Sequence, residues 1–294
     1  MIVNPKRGLL LIIKGSLKPL IILFIWDMLV VMTYKLFHYM WFDQSTLPIA
    51  LIGSVLVLFM NFRNNAAYNR WWEARSHWGL ITNNCRSFSR QCMTILNAHP
   101  NLTRAIAGYA YVLACHLRGK DALESDNVKR ILPPPIQKYI KGLRNQPNGV
   151  LFQIGLMVTQ EISTKKYVDG ALHSQIDRIL SDIANAQGAL ERIKNTPLTI
   201  QFSVLPRFFT EIVCVILPFS MVDTLGWMTP LGSTLVGFLF IALDKIGSEL
   251  QNPFDKSPHA LPMLTMTRSL EIDLLEQIGD PTGSPITPID GIQW

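Results

Sequence analysis

The stretch Gly53–Gly79, GSVLVLFMNFRNNAAYNRWWEARSHWG, constrains this chain more than any other. It begins as apolar as a membrane span and within about ten residues becomes polar and arginine-rich, with no proline to break it. Ser54, Leu58 and Phe62 recur at i, i+4 and i+8, a spacing that stacks three side chains along one side of a helix. Around and beyond them stand Asn61, Arg63, Asn64, Asn65, Asn69 and Arg70. Amides and guanidinium groups are costly against hydrocarbon, so they must face protein or water. The pattern predicts a helix that lines an aqueous passage. Spacing alone leaves an alternative open, since an aliphatic stripe on a helix also serves as ordinary packing.

Composition supports a membrane setting. Of 294 residues, 49% are hydrophobic and 16% charged, against roughly 25% charged in a typical soluble protein. The +6 net charge fits basic cytoplasmic segments better than nucleic-acid binding, because no aromatic-plus-basic recognition module is present. Pro19 to about Trp41 has span length, although Asp27 and Lys35 interrupt it. Eight residues apart, these two are expected on a similar face packed against protein; a soluble core helix is the alternative. Leu47–Phe62 is a shorter apolar run, rescued if it lines water. Pro197 to about Leu225 and Ser233 to about Ile246 complete the set, the latter reaching span length if it starts at Pro230. Arg207 and Glu211 sit at i, i+4 and are expected to pair.

These runs divide the chain. Residues 1–18 carry Lys6, Arg7, Lys14 and Lys18 without an acid, and are expected to lie as an amphipathic segment on the cytosolic membrane face, or else to fray. Residues 19–62 hold transmembrane helices 1 and 2, 63–196 a helical cytosolic region, 197–246 transmembrane helices 3 and 4, and 247–294 a cytosolic C-terminal segment. Within the cytosolic region, helix is expected to about His99, where Pro100 stops it. It resumes over Asn101–Arg118 with Asn101 as cap, then roughly over Pro135–Leu143, Asn148–Ile162 and Gly170–Lys194. A last helix is expected around Leu264–Ile278. Four spans place both termini on one side, and the connections Phe42–Thr46 and Val222–Gly232 contain no lysine or arginine, as outward loops should. No cleavable signal is evident, and no internal repeat.

Enzymatic and metal chemistry find little support. His38, His77, His99, His116, His173 and His259 form no HxxxH or HExxH set, and no GxSxG, P-loop or GxGxxG occurs. Cys85, Cys92, Cys115 and Cys214 match neither a CxxC pair nor a zinc set and read as reduced thiols. Neither a cofactor nor a bound metal is expected.

The sequence FRNNAAYNRWWEARSHWG resembles the signature of the bestrophin family of ion channels, its bacterial branch in particular. ERIKNTPLTI, ILPFSMVDTLGWMTP and the run from Leu243 to Leu275, with Asp244, Glu249, Pro253, Phe254 and Glu271, match further family blocks. The resemblance spans nearly the whole chain. It implies an all-α membrane protein with four transmembrane helices per subunit and a large helical cytosolic region, assembled as a homopentamer around a central pore. It implies a pore neck at Ser54, Leu58 and Phe62, where Ser54 departs from the family's usual bulky apolar residue and leaves that ring wider and wetter. Arg63, Asn64, Asn65 and Arg70 would secure the pore helix where it leaves the membrane. A second, cytosolic constriction falls at Ala171, where alanine replaces a larger aliphatic residue. Animal members bind calcium through an acidic cluster after Asn-Pro-Phe; here NPFDKSPHALPM has Asp255 as its only acid, too few oxygens for calcium.

The resemblance therefore implies a channel of a bacterial cytoplasmic membrane, with both termini cytoplasmic, passing small monovalent ions (chloride, or sodium and potassium) and binding no nucleic acid. The alternative is a non-conducting membrane scaffold or regulatory protein.

Overall fold

A computed structural model describes residues 1–37, 49–165 and 170–293. Among them every regular element is a helix. The chain separates into two compact units. One comprises residues 2–71 and 197–252, the other residues 72–196 and 253–294 together with Met1.

The first unit is built from the apolar runs. Helix α1 (Pro5–Phe37) is continuous, so the basic amino-terminal segment and the first apolar run form one rod, not two pieces. Pro19 lies within it. Helix α2 (Ile49–Thr94) contributes its first half here and its second half to the other unit. At 1.5 Å per residue its 46 residues extend about 69 Å. Helices α8 (Ile200–Leu225) and α9 (Thr229–Leu250) form a hairpin folded at a 3-10 turn, Gly226–Met228. Gly226 makes that turn with φ +52°, a left-handed value that costs glycine little. Two apolar runs, Lys6–Phe37 and Ile200–Leu250, are long enough to cross a bilayer, and the hairpin gives the second two helices of 26 and 22 residues.

Helices α1, α8 and α9 pack against one another. Trp26 Nε1 donates to the Val215 carbonyl at 3.1 Å, and its ring meets Phe219 edge-on at 6.0 Å. Gly237 permits close approach at the α1–α9 contact, since a Cβ there would collide with the Leu23 side chain. Asp27 is fully buried at that contact. Ser233 Oγ and Thr234 Oγ1 each donate to its carboxylate at 3.1 Å. Lys35 does not share this face. Eight residues turn a helix about 80° past two full turns, and Lys35 is exposed beside the Tyr34 ring. The end of the first apolar run at Trp41 and the Phe42–Thr46 connection lie outside the described residues.

The second unit is centred on α3 (Asn101–Leu117), buried over most of its length and flanked by α4 (Asp126–Ile131), α6 (Gln146–Ser163), α7 (Gly170–Asn195) and α10 (Met263–Gln277). Helix α5 (Pro134–Ile140) packs on α6. Helix α2 ends at Thr94, before Pro100, and Pro100 itself is the N-cap residue of α3, with Asn101 the first helical position. Pro133–Pro135 lead into a helix. Pro133 caps α5 and Pro134 opens it, where proline's missing N–H costs nothing. Helix α4 is short and mostly polar, the turn Ala122–Glu124 spans three residues, and no periodicity announces either.

Several buried polar groups in this unit are tied to partners. Tyr109 donates to Gln187 Oε1 at 3.0 Å, and Ser89 donates to Gln277 Oε1 at 2.8 Å. Glu271, with no exposed surface, accepts from Tyr111 at 2.6 Å and pairs with Arg130 and Arg268, each at 2.6 Å. Burial alone would raise its pKa, but the two guanidinium groups and the phenol outweigh it and hold the carboxyl below its ordinary 4.5. Burial pushes the Cys92 thiol up to about 12, so it stays protonated and unreactive.

Candidate functional site: the outward face of helix α2

Helix α2 has two unlike sides. One is buried in the first unit. Leu56 and Met60 form an apolar cluster with Val213, and Ile52, Phe209 and Phe240 pack around it. Arg63 and Ala67 continue that buried side toward the polar half. Steps of about 100° per residue put Ser54, Leu58, Asn61 and Asn65 opposite, with Phe62 and Asn69 adjoining. All six are exposed, Leu58 to 52% and Phe62 to 55%. The exposed side thus runs from serine through leucine and phenylalanine into three asparagines.

The buried side is fastened by polar contacts to α9 and the residue after it. Arg63 is only 2% exposed, and its Nη1 pairs with Asp244 Oδ1. Asn64 Nδ2 donates to the Leu243 carbonyl at 3.4 Å. Arg70 Nε donates to the Gln251 carbonyl at 2.8 Å. Gly247 allows this approach, because a Cβ there would overlap the Asn64 amide. Arg63, Asn64 and Arg70 therefore grip one line along α9, over two turns of α2. Asn65 is placed differently, on the exposed side with Leu58. Ala171 is exposed in the first turn of α7, in the other unit. Arg207 and Glu211 do pair, at 3.3 Å, yet their side chains are 72% and 65% exposed.

Sequence reasoning missed two parts of this arrangement. Asp244 is the partner of Arg63, and Asp27 is the acceptor for Ser233 and Thr234. The signal was present in both cases, as an acid within or at the end of an apolar run. Its partner lies 181 or 206 residues away, and no local pattern links them.

An all-helical chain with a long apolar α1, an α8–α9 hairpin and an α2 that turns from apolar to polar along its length defines a helical membrane protein. The family model described as Bacterial/Fungal Bestrophin protein matches residues 7–276, and the chain belongs to that family. It is 32% identical over 250 residues to a voltage-dependent anion channel-forming protein of Ralstonia nicotianae, covering 82% of this chain and 79% of that one. To a protein of the same description from Mesorhizobium japonicum it is 31% identical over 290 residues, covering 95% and 93%. The crystal structure of a bacterial bestrophin homologue from Klebsiella pneumoniae superposes with a TM-score of 0.81 at 25% identity, covering 89% of this chain and 98% of that one.

Proposed function

We propose that this protein is an anion-passing channel of the bacterial inner (plasma) membrane, formed by five copies around a central pore that α2 lines. The observation that carries this reading is the exposed side of α2. A surface that places Ser54, Asn61, Asn65 and Asn69 beside Leu58 and Phe62 suits neither lipid nor a lone soluble subunit. Water suits it. Several copies meeting about one axis would bring the six side chains to a common passage, and cyclic symmetry supplies that axis.

Along the passage, Ser54 forms a wet outer ring and Leu58 and Phe62 an apolar neck. Apolar walls offer water no hydrogen bonds, so a narrow ring of them closes by dewetting and opens when it widens slightly. Arg63, Asn64 and Arg70 hold α2 against α9, which positions the neck side chains. Asn65 faces the passage just inside it. Ala171 marks a second, wide cytosolic constriction. Four crossings, by α1, the first part of α2, α8 and α9, leave both termini in the cytoplasm.

The exposed Arg207–Glu211 pair supports the oligomer. Charges well inside a spanning helix are expensive against lipid, and a neighbouring copy would cover them. Preference for small monovalent anions such as chloride over sodium or potassium follows the naming of the relatives and the basic balance of the chain. An apolar neck discriminates weakly by charge, so vestibule charges would set the sign. Reversal potentials across purified protein in planar bilayers test this. In a chloride gradient the reversal should move toward the chloride equilibrium potential. A shift toward the cation potential would overturn the anion assignment, and no current at all would favour a scaffold.

A further inference from the structure

A cluster of cations in the second unit outnumbers the carboxylates beside it. The chain leaves α3 through Arg118, Gly119 and Lys120. There a cavity of about 390 Å³ opens, lined in part by His116, Lys120, Asp121, Arg144, Gln146 and Lys194. That volume lies within the roughly 300–1,000 Å³ of small-molecule sites. Lys256, from the segment after Asn-Pro-Phe, lies close to Lys120 and to Arg118. Like charges at such range repel, and nothing is gained by placing them together unless an anion joins them.

The two carboxylates nearby, Asp121 and Glu191, take their hydrogen bonds from amide groups and not from these cations. Asp121 accepts from Gln146 Nε2 at 2.6 Å and from the Leu123 N–H at 3.0 Å. Glu191, behind His116, accepts from Asn145 at 3.0 Å and Gln187 at 2.8 Å. Lys194 is the exception among the cations, because its Nζ caps the His116 carbonyl at 2.6 Å. Capping the end of α3 thus accounts for Lys194 and leaves Arg118, Lys120, Arg144 and Lys256. None of these four forms a salt bridge among the described residues. The Arg118 Nε is buried and has no hydrogen-bond acceptor among them.

We propose that this cavity binds a phosphate-bearing anion, held by Lys120 and Arg144 in its lining, with Arg118 and Lys256 beside them. Phosphate suits the set because its several oxygens can accept from two ammonium groups and a guanidinium at once. The Lys120 ammonium, with Arg118 behind it, lowers the pKa of Lys256, and an anion between them would raise it again. The phosphate belongs either to a soluble phosphorylated small molecule or to a lipid headgroup.

Full-length protein in detergent provides the test, by isothermal titration with inorganic pyrophosphate and, separately, with mixed micelles carrying phosphatidic acid or phosphatidylcholine. Pyrophosphate is expected to bind saturably, and about tenfold more weakly in the Lys120→Ala/Lys256→Ala double variant. A Lys138→Ala/Arg178→Ala variant, which removes two exposed cations elsewhere, should bind as the parent does. Binding of phosphatidic acid micelles alone, with the same dependence on Lys120 and Lys256, would assign the phosphate to a lipid. Absence of saturable binding to either, or equal binding by both variants, overturns the proposal. The readout is independent of ion conduction.

Discussion

At the scale of single residues, the account turns on side chains whose two faces do different work. Leu58 and Phe62 project from α2 away from its packing partners, so truncating them should leave the subunit intact. Replacing both with alanine should raise open probability severalfold in single-channel recordings; unchanged currents would remove the gate from these positions. Ser54→Leu should do the opposite, closing the outer ring and lowering conductance. Arg63 is a different kind of residue. Its removal leaves Asp244 beside a buried surface without its counter-charge, so Arg63→Ala should destabilise the folded protein by about 3–5 kcal/mol, read as a drop in detergent melting temperature. Glu271→Gln tests the buried cluster with Arg130 and Arg268. The wild-type carboxyl has a pKa below its ordinary 4.5, so its stabilising contribution is complete above that pH and fades as pH falls through the lower folded value. The glutamine variant should be less stable at pH 7 by about 3 kcal/mol. Its stability should also change less between pH 6 and pH 3 than the wild type's.

At the scale of elements, contact between helices depends on small residues and buried acids. Helix α1 reaches α9 through Gly237 and the Asp27–Ser233–Thr234 hydrogen bonds. Gly237→Val should push Leu23 aside and lower the melting temperature, while Asp27→Asn, which keeps the shape and one acceptor, should cost less. Long elements were legible in the sequence because their apolar periodicity or apolar length is strong. Helices α7, α8 and α10 begin and end within a few residues of the expected limits. What could not be read had physical causes. Helix α4 is six residues of mostly polar sequence, held by tertiary packing, not propensity. Pro100 stands at the start of a helix, not at the end of one, because a proline at an N-terminus sacrifices no hydrogen bond. The face of α2 that turns outward was visible as the Ser54, Leu58 and Phe62 spacing. The residues that clamp its inner face were not, because Asp244, Leu243 and Gln251 come from far along the chain.

At the scale of the whole molecule, the proposed passage belongs to no single chain. One copy of α2 presents a side of mixed polarity, and only a ring of copies turns that side into a wall. The exposed Arg207–Glu211 pair asks for the same thing from α8. Detergent-purified protein should therefore carry the mass of five chains, and particles viewed along the membrane normal should show five-fold symmetry. Cysteine chemistry offers the most direct test of what α2 faces, since Cys85, Cys92 and Cys214 are buried. In a Leu58→Cys variant with Cys115 replaced by serine, a charged, membrane-impermeant methanethiosulfonate reagent should modify residue 58 and block the bilayer current. A Leu58→Cys thiol that resists the reagent while the current persists unchanged would contradict the assignment of α2 to the wall of the pore.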